Sequence, residues 1–283
     1  MPDIDRSLPV VFIHGIGGGA RLWAPQITSF SEAGYRPVAL DLPGYGERQA
    51  VDHMDFEGLA ADIEAEIARL GLARPALVGH SMGGMVAQTA LRRRPHAYRA
   101  AVLACTSPAF GSGTGAFQKK FVADRLAPLE AGKTMADISR TVVSAMGPNP
   151  DRAGRALASA AIAATPERTY RAAVHCLVGF DERANLAAIG IPVLCLAGEL
   201  DPLAPPRPGS SGWREKFPMP ATSAYPGSAT LPILRRRRRS TLSCSRSLRR
   251  CLSCGRVIDS MRLMATQPMD NAPPRDAPDV LAR

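Results

Sequence analysis

Five short apolar runs, each closed by a turn and separated from the next by a stretch of helical spacing or a longer connection, constrain this chain more than any other feature. They are PVVFIHG (9–15), RPVALDLPG (36–44), PALVGHS (75–81), AAVLACT (100–106) and IPVLCLAGE (191–199). A strand that is apolar throughout must be covered on both faces, and strands alternating with helices assemble into a parallel sheet wrapped by helices. Helices are expected near 22–33, 56–71 and 83–94. In FEGLAADIEAEIARLGL, Leu59, Ile63, Ile67 and Leu70 recur at helical spacing, and Gly71 supplies a C-terminal stop. The fold class that follows is α/β, with a doubly wound, mostly parallel sheet. A chain of 283 residues suffices for one such domain with an insertion.

The connection from Pro108 to about Ala187 is too long for a simple crossover. It carries four helical segments: GAFQKKFVADRLAPLEAG, TMADISRTVVSAM, AGRALASAAIAA and PERTYRAAVHCLVGF. A structureless loop of that length does not belong in a compact domain, so a helical cap is expected after the fourth strand. The expected division is a first part of the core at 1–109, the cap at 110–186, the last intact strand of the core at 187–206, and a basic tail at 207–283.

Charge divides at the same point. Residues 1–206 hold 20 Lys+Arg against 20 Asp+Glu, whereas residues 207–283 hold 15 against 5, so the net charge of +10 comes wholly from the tail. The tail contains five consecutive arginines, Arg235 to Arg239, and no convincing strand, and it ends in a Pro/Asp-rich stretch; it is expected to be irregular or disordered. Its aromatics are confined to Trp213, Phe217 and Tyr225, and it matches no nucleic-acid-binding fold, so no specific nucleic-acid partner is expected. Cys105, Cys176 and Cys195 sit in apolar segments as reduced core thiols, and CLSC (251–254) without a second ligand pair is a poor metal motif. No metal or other cofactor is expected. The N-terminus lacks a basic segment followed by an apolar one, and no apolar run is of spanning length, so the expected location is cytoplasmic, with no membrane partner.

The chemistry begins at GHSMG, residues 79–83, which has the form G-x-S-x-G and stands between a strand and a helix. A sharp turn there exposes Ser81 in a strained backbone at the carboxyl edge of the sheet, and glycines flank it because side chains would strike neighbouring backbone. HGIGGG (14–19) follows the first strand and brings backbone N–H groups to the same edge. The N–H of Met82, with that of Ile16 or alternatively Gly17, would bind the oxyanion of a tetrahedral intermediate. The loop lacks the lysine of a phosphate-binding P-loop. In AGELDPLAPP (197–206), Asp201 is placed to orient a histidine, with Glu199 as its local competitor. Gly17 and Trp23 are candidates for the substrate pocket, Trp23 being equally suited to the core.

Taken in order, VVFIHGIGGGARLWAPQI, ALDLPGYGER, ALVGHSMGGMVAQTAL and PVLCLAGELDPLAPP resemble the α/β-hydrolase family with a cap, over about residues 9–206. Within it they are most similar to the branch of 3-oxoadipate enol-lactonases and related carboxylic-ester hydrolases. The resemblance implies a serine hydrolase acting on a small ester or lactone, with Ser81 as nucleophile, Asp201 as triad acid, and Met82 and Ile16 as oxyanion hole. Serine at the elbow separates the chain from branches with a carboxylate nucleophile. Relatives also carry a β-hairpin before the HG strand, where this chain has only MPDIDRSL, so a shortened start is expected.

A histidine should complete the triad after a further strand, yet the histidines are His14, His53, His80, His96 and His175 alone. Loss of one nucleotide shortly after codon 206 would account for this. Each earlier codon would then be the last base of one present codon plus the first two of the next. SATLPILRRRRRSTLSCSRSLRRCLSC re-reads as GHLANLEAPAAFNALLLAFLAALPVM, its histidine formed across Ala229 and Thr230, and a stop is permitted across Ile258 and Asp259. The arginine run then reflects GC-rich codons read out of frame. As written, the chain is expected to be impaired, the alternatives being a non-catalytic descendant that binds a ligand or partner and a nucleic-acid binder acting through the basic tail.

Overall fold

The computed structural model describes residues 8–110, 115–146, 152–198 and 222–225. Among them are six parallel strands: β1 (Pro9–Ile13), β2 (Arg36–Leu40), β3 (Ala76–His80), β4 (Ala100–Ala104), β5 (Val193–Gly198) and β6 (Thr222–Tyr225). Their order across the sheet is β2-β1-β3-β4-β5-β6. The five strands read from sequence are all present, each ending a little before the turn residues included in the apolar run. The sixth corrects the expectation that nothing beyond residue 206 would form a strand. TSAY carries no apolar alternation and is short, but pairing along β5 from Cys195↔Thr222 to Gly198↔Tyr225 supplies the missing support.

Successive side chains of β1 go to opposite faces, and each face has its own core. Val11 and Ile13 join Leu77 and Leu103 under α2 (Phe56–Arg69) and α3 (Met82–Arg93), where Leu59, Ile63, Val86 and Leu91 are buried. Val10 and Phe12 join Val78, Val102, Leu194 and Leu196 on the other face, to which α1 (Ala24–Glu32) contributes Ile27 and Phe30. The helix stops are local. Asp55 accepts the Gly58 N–H at 2.7 Å at the start of α2, and Gly71, at φ +61°, lets the Leu72 N–H return to the Ile67 carbonyl at 3.0 Å.

Among the described residues, four α-helices lie between β4 and β5: α4 (Ala116–Glu130), α5 (Met135–Ser144), α6 (Arg152–Ala164) and α7 (Glu167–Leu177). Where this insertion leaves and rejoins the sheet, Ala109 bridges Asp181, the Phe110 N–H donates to Phe180 at 2.9 Å and the Glu182 N–H to Pro108 at 2.8 Å. The helices share a small core of Leu126, Leu129, Met135, Ile138, Ile162, Tyr170 and Val174. No helix among the described residues is long and apolar enough to cross a membrane.

Candidate active site

Ser81 stands between β3 and α3 at φ +53° and ψ −120°, a conformation that a residue with a side chain adopts only under constraint. The constraint is visible. Its N–H donates to the Ala104 carbonyl of β4 at 2.9 Å, and its own carbonyl accepts from Gly84 at 2.9 Å, starting the helix. The flanking glycines have no alternative: a Cβ on Gly79 would run into the backbone of Gly83 and Gly84, and one on Gly83 into the carbonyls of Ile13 and His14. Met82 is buried and begins α3, a position whose amide has no carbonyl four residues back within the helix and can be offered to an anion.

The loop after β1 is brought directly against this serine, since a Cβ on Gly15 would lie 3.0 Å from the Ser81 Cβ. The loop is tied at several atoms. The Gly15 carbonyl accepts from Gly18 N at 3.0 Å and from His14 Nδ1 at 2.8 Å, while His14 Nε2 accepts the Leu42 N–H at 3.0 Å. Asp41 Oδ1 accepts the Ala20 N–H at 2.6 Å, and the Tyr45 hydroxyl donates to the Ile16 carbonyl at 2.8 Å. Ile16 is half-buried between the main core and that of the inserted helices, and Gly17 lies beneath Ile162 of α6, 3.1 Å from where a Cβ would stand.

The arrangement fixes the tautomer of His14. Nδ1 must carry the proton it donates and Nε2 must be bare to accept, so the ring is neutral; burial, opposed by the Gly15 bond and Asp41, lowers its pKa to about 4. The 4.0 Å approach of Asp41 to Nε2 is therefore not an ion pair. With both nitrogens occupied, His14 is a structural clamp. His80 ends β3 beside Gly15, its Nδ1 3.2 Å from where a Gly15 Cβ would stand. His53 and His175 line a separate cleft of about 550 Å³ between the start of α2, α3 and the end of α7, with Arg92 and Glu182, and His96 is on the surface after α3.

Of the two places left open for Trp23, pocket wall and core, it occupies the core. It is buried with its ring centroid 4.9 Å from that of Phe12, on the α1 face of the sheet. The alternation within β1 that turns Phe12 to that face takes Trp23 with it. Asp201 and its competitor Glu199 lie outside the described residues, just past β5, as do the tail cysteines and the arginine run. Cys176 and Cys195 are thiols whose pKa burial pushes up to about 12, and Cys105, buried just after β4 at φ +48°, is in no disulfide. Among the described residues no group of His, Cys, Asp or Glu is clustered to hold a metal ion. Sequence reasoning missed Asp41 and Tyr45. DLPGYG was visible as a turn after a strand, but only the folded pairing of β1 with β2 places that turn against the loop at 14–20.

Comparison with known proteins accords with this geometry. A Bacillus subtilis protein, AB hydrolase superfamily protein YisY, is 27% identical over 214 residues, covering 72% of this chain and 78% of that one. The crystal structure of a thermophilic esterase from Thermogutta terrifontis superposes with a TM-score of 0.72 at 21% identity, over 92% of this chain and 91% of the other. That of an enol-lactonase from Burkholderia xenovorans LB400 superposes with a TM-score of 0.65 at 20% identity, over 78% and 82%. At these identities the two structures establish likeness of fold alone. The pattern of the α/β hydrolase fold family matches residues 9–232, which is further than the motifs alone had extended it and takes in β6, and the chain belongs to that family.

Proposed function

We propose that this chain descends from a cytoplasmic serine hydrolase of carboxylic esters or lactones and retains its nucleophile and oxyanion hole. The observation that carries the reading is the strained Ser81, at φ +53° on the turn into α3, with Gly15 of the β1 loop packed against its Cβ. In the complete reaction Ser81 Oγ attacks the carbonyl carbon, the N–H groups of Met82 and Ile16 receive the oxyanion, a histidine oriented by Asp201 moves the proton, and water releases the acyl group. No cofactor is required. The four inserted helices would roof the pocket, with Gly17 at its floor beneath Ile162.

The base is the missing part. His14 is occupied at both ring nitrogens, His80 ends the same strand as Ser81 rather than standing on the loop of another strand, and His53, His96 and His175 lie on other surfaces, so in the chain as written turnover should be low, with losses on the order of 10⁶-fold when a triad base is removed. This accounting favours a second reading, a binding descendant whose pocket takes a ligand without converting it. One experiment separates them. The source gene is sequenced across codons 200–262, and hydrolysis of p-nitrophenyl acetate and of a small lactone is measured for the chain, for Ser81→Ala and for the product of a gene with one base restored after codon 206. Rapid hydrolysis by the restored form, abolished by Ser81→Ala in it, supports the hydrolase; an inactive restored form and an unbroken gene leave the binding reading.

A further inference from the structure

We infer that Tyr45 is a positioning residue of the oxyanion hole, holding the Ile16–Gly17 peptide through its hydroxyl so that the oxyanion donor of the β1 loop keeps its aim. The inference rests on the hydrolase reading above. The C=O and N–H of a trans peptide point in opposite directions, so whatever holds a carbonyl also aims the N–H on the far side of the same plane. All described peptides are trans. The Gly15–Ile16 peptide is held by its carbonyl, which accepts from His14 Nδ1 and from Gly18 N, and this aims the Ile16 N–H. The next peptide, Ile16–Gly17, is held through the Ile16 carbonyl by the Tyr45 hydroxyl at 2.8 Å. With both planes fixed, the φ and ψ of Ile16 are fixed. With the second released, Ile16 is free to turn between one anchored plane and one loose one, and both candidate donors, Ile16 and Gly17, lose direction.

Tyr45 is built for such a task. Its ring is buried and meets the His14 ring edge to face, with centroids 4.5 Å apart, so the two side chains that grip adjacent peptides of the loop also brace each other. Its backbone sits in a tight turn in which its N–H donates to Leu42 at 3.0 Å and its carbonyl accepts from Arg48 at 3.0 Å. That turn is pinned from the side of the inserted helices, where Thr169 Oγ1 of α7 donates to the Gly44 carbonyl at 3.0 Å. Burial raises the pKa of the phenol far above its usual value, which keeps the proton on the oxygen that donates it.

The test uses the full chain, Tyr45→Phe and Ser81→Ala, with protein in excess over p-nitrophenyl butyrate and pH from 6 to 9. In this single turnover Ser81 Oγ bonds to the carbonyl carbon, the bond to p-nitrophenolate breaks, and the serine proton passes to water. Tyr45→Phe keeps the ring and its contact with His14. It should lower the Ser81-dependent acylation rate roughly 10- to 100-fold, less than the loss of a donor itself, leave half-saturation within about two-fold, and do so equally at every pH. Affinity for phenylboronic acid, whose tetrahedral adduct on a serine oxygen puts an oxygen in the oxyanion position, should fall by a similar factor. An unchanged rate and boronate affinity, or a loss carried by half-saturation instead of rate, overturns the proposal. A parent chain that neither acylates faster nor binds the boronate more tightly than Ser81→Ala overturns the retention of nucleophile and oxyanion hole on which the inference rests, and the role of Tyr45 with it.

Discussion

His14 shows how much a single side chain in this fold is asked to do. Its ring joins Gly15 to Leu42 and braces Tyr45, and donating to Gly15 while accepting from Leu42 requires the neutral Nδ1–H form. An imidazole in the unfolded chain takes a proton near pH 6.5, whereas here it does so only near about 4, because burial outweighs the Gly15 bond and Asp41, with the neighbouring His80 acting in the same direction as burial. Between those values the unfolded state binds the extra proton, so stability is level above about pH 6.5 and falls as pH drops toward about 4, by up to roughly 3 kcal/mol. Urea midpoints between pH 7.5 and 4.5 would read this fall, and His14→Asn should flatten it; an equal slope in that variant would contradict the assignment. The glycines are as specific. Gly83→Ala drives a methyl into the Ile13 and His14 carbonyls, and a destabilisation of roughly 2–4 kcal/mol in the same urea titration is expected.

At the scale of elements, the distinction between what was readable and what was not follows from the range of the forces involved. Helix α5 is written locally: Thr134 Oγ1 accepts the Asp137 N–H at 3.3 Å and Asp137 accepts the Thr134 N–H at 2.8 Å, a capping box contained within the four residues TMAD. Thr134→Ala should cost about 1 kcal/mol, by thermal or urea unfolding, with no effect on chemistry at Ser81. The turn of Ser81 is also local, because glycine, serine and glycine at fixed spacing suffice to demand it. Strand β6 is the opposite case. Thr222 and Tyr225 suit a strand, but a run of four without apolar alternation does not announce one; the open edge of β5 decides it, and that edge is a property of the assembled sheet. Trp23 and Tyr45 likewise take their roles from neighbours distant in sequence, Phe12 and Ile16, so their residue types alone left the roles undetermined.

Across the whole molecule, charge is divided sharply along the sequence. The basic triplet Arg92, Arg93 and Arg94 is occupied by acids: Arg92 pairs with Glu57 and, at 3.0 Å, with Glu182; Arg93 pairs with Glu57 and Glu64 at 2.8 and 2.9 Å; and Arg94 pairs with Glu64 at 3.1 Å. These pairs tie α3 to α2 and to the residue where the insertion rejoins the core. The first 206 residues are formally neutral, so the net positive charge this protein offers a polyanion is that of residues 207–283, with Arg235 to Arg239 its densest run. Contacts of this kind neutralise phosphates and release counterions without reading bases. The full chain should therefore bind duplex DNA at low salt with no preference among sequences, and lose that binding steeply as salt rises from 50 to 200 mM. Charge neutralisation of the run by replacing Arg235 to Arg239 with glutamine should flatten the salt slope while leaving Ser81-dependent acylation within about two-fold. A preference for one DNA sequence that survives 200 mM salt would instead mean that the tail makes contacts with base edges, and the hydrolase core would then be the partner of a nucleic-acid-binding segment.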